Sequence, residues 1–118
     1  MKTILVVDDE PDIRLMSRYM LEANGFKVIE ASDGPSCLQM MREVAPDLVL
    51  LDIRMPGPDG WTVLREILSD PELARIPVVM ASAHASPREA EPDDLKGRAG
   101  YLVKPFRQAD LLQALEQI

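Results

Sequence analysis

The sequence predicts an α/β fold in which a five-stranded parallel sheet carries helices on both faces. The first observation is that short apolar runs alternate five times with segments whose apolar residues recur at helical spacing. The second is that each run gives way abruptly to polar, glycine or proline residues, as expected where a buried strand ends. Strict alternation of strands and helices is typical of a parallel sheet, because each crossover helix packs back onto it.

Five runs are assigned to strands, and they cover residues 4–7, 27–30, 48–51, 77–81 and 101–103. The third run is an unbroken Leu-Val-Leu-Leu that leads directly into Asp52. Two prolines and two glycines follow within residues 56–60, and they interrupt any helix or strand. Asp52 is therefore predicted to lie at the tip of a buried strand.

The first two helices have clear start and stop signals. Pro11 suits the first position of helix one, which is expected to end at Asn24-Gly25. Helix two follows Asp33-Gly34-Pro35 and is stopped by Pro46. Its expected apolar face consists of Leu38, Met41 and either Val44 or Ala45.

The remaining helical segments are less uniform. Helix three is expected over residues 61–68. After the fourth strand, residues 86–89 read Ser-Pro-Arg-Glu, a capping box, but Pro92 comes too soon for a long helix. We expect a helix there that is short, broken or restarted near Asp93. The final helix is expected to run to the chain end with an apolar face of Leu111, Leu112, Leu115 and Ile118.

Length, charge and cysteine content restrict the class of protein. With 118 residues the chain is most simply one domain, residues 1–118, and it can bury a core without disulfides. Its net charge of −7 argues against direct contact with nucleic acid. One cysteine, Cys37, excludes an internal disulfide, and no secretion signal or membrane span is recognisable. We expect a cytoplasmic domain with no direct nucleic-acid or membrane partner.

The polar residues at the strand ends form the candidate site. Asp8 and Asp9 follow the first strand, Asp52 the third, Ser82 the fourth and Lys104 the fifth. Open α/β sheets bind ligands at this edge, so these side chains should surround one pocket if the strands are neighbours. Crowded carboxylates must be relieved by protonation or by a divalent cation. Oxygen ligands favour Mg²⁺ over metals that need histidine or cysteine.

These residues and their flanking turns resemble a known family. The acidic pair Asp8-Asp9 is followed by Asp52 with Met55-Pro56 and Asp59-Gly60, then by Ser82-Ala83 and Lys104-Pro105-Phe106. Over essentially its whole length the chain resembles the receiver domain of two-component response regulators, including the single-domain chemotaxis type. The resemblance implies the flavodoxin-like receiver fold with strand order 2-1-3-4-5. It also implies a cis Lys104-Pro105 bond.

The resemblance implies a phosphoacceptor chemistry. Asp52 would accept a phosphoryl group from a histidine kinase, a phosphotransfer protein or a small acyl phosphate. A carboxylate with an ordinary pKa of about 4 is ionised at neutral pH and needs no general base to attack phosphorus. Mg²⁺ would bind Asp9 and Asp52 directly, Asp8 through water, and the backbone carbonyl of Arg54. Lys104 would neutralise charge on the phosphoryl oxygens.

A switch is implied as well. The Ser82 hydroxyl would bond a phosphoryl oxygen and make room for Tyr101 to rotate inward, which biases an existing equilibrium. The altered face would be strand five with the fourth and fifth helices, where this family docks an effector protein or domain, or dimerises after phosphorylation. Arg54 and His84 occupy positions that flank the phosphoryl group in the family, so the lifetime of the phosphorylated state is left open.

Simpler interpretations exist for most of these residues. Asp8 and Asp9 are also suitable helix-capping acids before Pro11. Ser82 is an ordinary turn residue, Lys104 an ordinary solvated lysine and Tyr101 an ordinary half-buried aromatic when each is considered alone. Asp59 is better explained by turn formation or by capping of helix three, so it is left out of the site. Asp52 has no comparable structural explanation.

The main functional alternative is a receiver-like scaffold that docks its partner without phosphorylation. A Mg²⁺-dependent phosphohydrolase would usually carry a second acid two residues after its aspartyl nucleophile, and here that position is Arg54. Flavin or dinucleotide binding is disfavoured, because no glycine-rich loop follows the first strand. The leading expectation is a switch that catalyses only its own phosphorylation and dephosphorylation, and is not an enzyme acting on a separate substrate.

Overall fold

The computed structural model describes residues 1–83 and 91–116. Its central element is a five-stranded sheet with the order β2-β1-β3-β4-β5, in which all neighbouring pairs are parallel. The predicted fold class and strand order are confirmed. The strands are β1 (Thr3–Val7), β2 (Lys27–Ala31), β3 (Leu48–Asp52), β4 (Val78–Ser82) and β5 (Gly100–Val103).

Four α-helices connect or follow these strands in the described residues. They are α1 (Pro11–Glu22), α2 (Gly34–Val44), α3 (Gly60–Ser69) and α4 (Gln108–Leu115). The same part of the chain contains two single 3₁₀ turns, Leu73–Arg75 and Asp93–Leu95. The second begins where the sequence predicts a restarted helix. The capping box at residues 86–89, His84 and Ile118 lie outside the described residues.

Side-chain caps begin two of the helices. The Asp33 carboxylate accepts a hydrogen bond from the Ser36 backbone N–H at 2.8 Å, and Asp59 accepts one from the Thr62 N–H at 2.9 Å. The capping role predicted for Asp59 is therefore confirmed. Both caps satisfy backbone donors that have no partner inside the helix.

The predicted apolar face of α2 needs one correction. Leu38 and Met41 are buried, but Val44 and Ala45 are both exposed. The helix ends at Val44, and Ala45 adopts a left-handed conformation with φ 52°. The apolar period stops contacting the core because the chain leaves the helix at this point.

The core is divided between the two faces of the sheet. Leu5 and Val7 of β1 pack with α2 and α3, whereas Ile4 and Val6 pack on the other face with residues from α1 and α4. Alternate residues of a strand point to opposite faces, so both faces require cover. Within the described residues, no helix is long and apolar enough to cross a bilayer.

Gly60 sets the close approach of α3 to the tip of β3. A Cβ atom at this position would lie 2.5 Å from the Asp52 carbonyl oxygen and 2.7 Å from the Ile53 Cα. The Gly60 N–H donates to the Ile53 carbonyl at 2.7 Å. The loop that follows Asp52 is therefore held against the sheet edge because residue 60 has no side chain.

Candidate functional site

The tips of β1, β3, β4 and β5 meet at one edge of the sheet. Val7 lies beside Leu51, and Asp52 lies beside Ala81 in the parallel register. The Lys104 N–H donates to the Ser82 carbonyl at 2.7 Å, which joins the ends of β4 and β5. The sequence predicts this convergence from polar residues that follow four separate apolar runs.

Lys104 links two buried carboxylates at this edge. Its Nζ lies 2.7 Å from Asp8 Oδ2 and 3.2 Å from Asp52 Oδ1. Asp8 and Asp52 are 3% and 5% exposed, so neither charge is well solvated by water. The Lys104 side chain is 13% exposed. Buried charges are tolerated when they are paired, and one ammonium here serves both acids.

This environment raises the pKa values of Asp52 and Lys104. Burial, followed by the neighbouring charge of Asp8, raises the pKa of Asp52 to about 6, although Lys104 and the Arg54 N–H act in the opposite direction. Burial alone would lower the pKa of Lys104, but its hydrogen bond to Asp8 and the charges of Asp52 and Asp8 raise it. The pKa of Asp52 is therefore higher than the ordinary carboxyl pKa of about 4 that the sequence analysis assumed.

The raised pKa predicts a pH-dependent stability in the absence of metal. The carboxyl of Asp52 binds a proton more readily in the folded chain than in the unfolded chain, where its pKa is near 3.8. The free energy of unfolding should therefore fall as pH rises between these two values. Asp52→Asn, which cannot ionise, should be more stable than the wild type by roughly 2 to 3 kcal/mol at pH 7.5, since one pKa unit is about 1.4 kcal/mol.

Urea unfolding in EDTA measures this effect. The advantage of Asp52→Asn should largely vanish at pH 4, where the wild-type carboxyl is protonated in the folded state. An equal difference at both pH values would show that the substitution acts through packing and not through the carboxylate charge.

A second acidic group lies in the turn after β1. Asp8, Asp9 and Glu10 each offer a carboxylate oxygen, and these oxygens lie within 4.8 Å of one another. Asp9 and Glu10 are exposed. An all-oxygen set of this kind fits Mg²⁺, which retains several water ligands. Asp52 is joined to the group through the shared Lys104.

Arg54 meets the site through its backbone. Its N–H donates to Asp52 Oδ1 at 3.3 Å. The side chain is exposed and lines a cleft of about 490 Å³ together with Asp9 and Trp61. The predicted metal-ligand role of its carbonyl oxygen stays a prediction.

The predicted switch residues lie on β4, which neighbours β3, and on β5, the edge strand beyond it. Ser82 is 7% exposed at the end of β4, and Tyr101 is half-buried on β5 beside Met80. The ring centroid of Tyr101 lies 6.1 Å from that of Trp61. Ser82 is linked to the site by its carbonyl, which accepts from the Lys104 N–H. A change of Tyr101 rotamer stays a prediction. The Lys104-Pro105 bond is cis, as predicted.

Comparison with known protein families shows to which family the chain belongs. The family model described as "Response regulator receiver domain" matches residues 4–116. The chain belongs to the response regulator receiver family. The predicted resemblance relied on acids after β1 and at the tip of β3, and this receiver has Asp8, Asp9 and Asp52 at those places.

Curated relatives support the same assignment. Protein PilH of Pseudomonas aeruginosa is 32% identical over 118 residues, which cover 100% of this chain and 98% of PilH. The phosphate regulon transcriptional regulatory protein PhoB of Escherichia coli is 34% identical over 117 residues, which cover 99% of this chain. The receiver spans about half the length of PhoB, 51%.

Solved structures with the same fold include the chemotaxis protein CheY4 of Vibrio cholerae. Its TM-score is 0.90 at 29% identity, with 100% of this chain and 98% of that chain covered. The receiver domain of the sensor histidine kinase PA1611 from Pseudomonas aeruginosa has a TM-score of 0.87 at 30% identity, with 98% and 95% covered. That structure has a magnesium ion coordinated in its active-site cleft.

Two residues near the site are absent from the sequence-based prediction. Glu10 belongs to the acidic group, and its place directly after Asp8-Asp9 was the available signal. Arg14 donates from Nη1 to the Asp8 carbonyl oxygen at 2.6 Å. No motif marks this contact, because it depends on the reach of a long side chain across the first turn of α1.

Proposed function

We propose that this receiver is the phosphoacceptor of a two-component phosphorelay, with Asp52 as the acceptor. The observation that carries the proposal is the Lys104 ammonium held between the buried carboxylates of Asp8 and Asp52. A structural scaffold has no need for two acids in a nearly dry pocket, because their desolvation is costly. A site that must receive a phosphoryl group does need them.

The proposed step is in-line phosphoryl transfer. An Asp52 carboxylate oxygen forms a bond to phosphorus, while the bond from phosphorus to the donor histidine nitrogen or acyl oxygen breaks and the donor keeps the electron pair. Lys104 can follow the new charge, because its ammonium already contacts Asp52 Oδ1 and needs only to turn toward the phosphoryl oxygens. This transfer requires Asp52 in its ionised form, because a protonated carboxyl is a poor nucleophile.

Mg²⁺ fits the acids present: Asp9 and Asp52 would bind it directly, Asp8 through water, and Arg54 through its backbone carbonyl. When bound, the ion supplies positive charge that offsets the developing charge on the phosphoryl oxygens. The magnesium ion in the cleft of the PA1611 receiver supports this assignment by analogy. Glu10 is close enough to the other acids to hold a metal-bound water.

The proposed output is a change in protein contacts. Ser82 would donate to a phosphoryl oxygen, and Tyr101 would then shift toward the space that Ser82 leaves. The affected face is β5 with its flanking segments, and its partner would be an effector or a second copy of the receiver. The phosphoryl donor would be a histidine kinase or phosphotransfer protein in the cytoplasm. The receiver would catalyse its own phosphorylation and dephosphorylation only.

Metal removal tests the proposal directly. Incubation with acetyl phosphate and Mg²⁺ should add the mass of one phosphoryl group to the intact protein, and the same incubation with EDTA should add none. The effect is expected to be large because the ion and Lys104 together neutralise the charge of the transition state. Intact-mass spectrometry at pH 7.5 measures it.

Equal labelling with and without metal would contradict the assigned role of Mg²⁺. No labelling under any condition, with the fold intact by circular dichroism, would favour a scaffold that docks without phosphorylation.

A further inference from the structure

The turn that carries the acidic group is anchored from outside the site. The Asp8 N–H donates to the Ala31 carbonyl at 3.2 Å, and the Glu10 N–H donates to Asp8 Oδ1 at 3.0 Å. The Asp8 carbonyl oxygen accepts from Arg14 Nη1 at 2.6 Å. The peptide unit that joins Asp8 to Asp9 is therefore bonded at its carbonyl to a side chain of α1.

Arg14 is itself held by the neighbouring strand. Its Nε donates to Glu30 Oε1 on β2 at 3.2 Å, and its side chain is only 18% exposed. The guanidinium group is planar, so two donors engaged at once fix its orientation. The Arg14 side chain thus connects α1 with the edge strand β2 and with the turn after β1.

We propose that Arg14 is a positioning residue for the metal site, and this inference rests on the proposed function. Asp8 faces Lys104 through Oδ2, so its carboxylate is oriented from one side by the lysine and its backbone from the other by Arg14. The Asp8 carbonyl belongs to the peptide that leads to Asp9. When this carbonyl is fixed, the peptide plane that ends at the Asp9 nitrogen is fixed, which restrains the backbone from which the Asp9 side chain extends.

The positive charge of Arg14 affects Mg²⁺ affinity in the opposite direction to its positioning role. A positive charge beside Asp8, Asp9 and Glu10 repels a divalent cation, so its removal through charge alone would tighten Mg²⁺ binding. Loss of orientation would weaken binding. Outer partners of metal ligands typically contribute about 10- to 100-fold in metal affinity. The direction of the change therefore distinguishes the two effects.

Arg18 provides a matched control one helical turn away. Its Nη2 lies 3.2 Å from Glu30 Oε2, and the same Nη2 donates to the Val28 carbonyl at 2.9 Å. Like Arg14, it pairs with Glu30 and donates to a backbone carbonyl. The carbonyl belongs to β2, however, and not to the turn that carries the acids.

The test is Mg²⁺ titration of the wild type, Arg14→Met and Arg18→Met, followed by Trp61 fluorescence and by calorimetry. Trp61 shares the cleft of Asp9 and Arg54, so its emission should report metal at the site. Arg14→Met should bind Mg²⁺ about tenfold more weakly than the wild type, whereas Arg18→Met should stay within about twofold. Urea midpoints should fall in both variants.

Arg14→Lys keeps the charge but cannot serve Asp8 and Glu30 as a fork, and it should also bind more weakly. Should Arg14→Met not fold, the lysine variant decides the matter. Wild-type affinity in the folded Arg14 variants, or an equal loss in Arg18→Met, would overturn the inference and leave the proposed function standing. Absence of Mg²⁺ binding by the wild type would overturn both.

Discussion

Asp52→Asn is expected to abolish the incorporation of a phosphoryl group from acetyl phosphate. The substitution removes the carboxylate oxygen that would attack phosphorus, and an amide oxygen carries no comparable negative charge. The fold should survive, because Asn is nearly the same size and the pocket loses a buried charge. Intact-mass spectrometry measures the result after the wild type and the variant are incubated separately with acetyl phosphate and Mg²⁺.

Asp59→Asn is the matched control for this prediction. Asp59 ends the loop that follows Asp52, and asparagine can replace its cap at Thr62. This variant should be labelled like the wild type. Equal labelling of Asp52→Asn would assign the acceptor to another residue, and peptide mapping would then have to locate the phosphoryl group.

The arrangement of the strands could be predicted because it depends on local sequence. The apolar run before Asp52 and the prolines and glycines after it fix both the strand and its end. The same holds for the runs before Asp8 and Lys104. Once the strands are parallel, the polar residues at their ends must lie at one edge. The sequence therefore predicts that the ends of β1, β3, β4 and β5 lie side by side, and the structure confirms this order.

The chemistry inside the pocket could not be predicted to the same depth. Asp8 and Lys104 are separated by 96 positions, and nothing in either local sequence gives the 2.7 Å distance between their charged groups. The raised pKa of Asp52 depends on burial and on the charge of Asp8, which are tertiary properties. The contact of Arg14 with the Asp8 carbonyl depends on a side-chain conformation that periodicity does not encode.

Lys104→Met is expected to slow phosphoryl transfer and to tighten Mg²⁺ binding at the same time. Removal of one charged donor from a site that stabilises a transition state typically slows the reaction about 100- to 1,000-fold. The ammonium also contacts oxygens of Asp8 and Asp52, which are the acids assigned to the metal. Its loss should strengthen Mg²⁺ binding about fivefold or more, since two unit charges about 4 Å apart interact by about 1 kcal/mol even in water.

The opposite signs separate this result from a general loss of structure, which would weaken both properties together. Lys96→Met is the matched control, because Lys96 is an exposed lysine whose Nζ pairs with a carboxylate oxygen of Asp93 at 3.2 Å. It should change neither the labelling rate nor the Mg²⁺ affinity. Labelling rates from mass spectra and Mg²⁺ titrations of Trp61 fluorescence provide both readouts. Wild-type labelling by Lys104→Met would mean that the ammonium only balances the charge of the resting carboxylates.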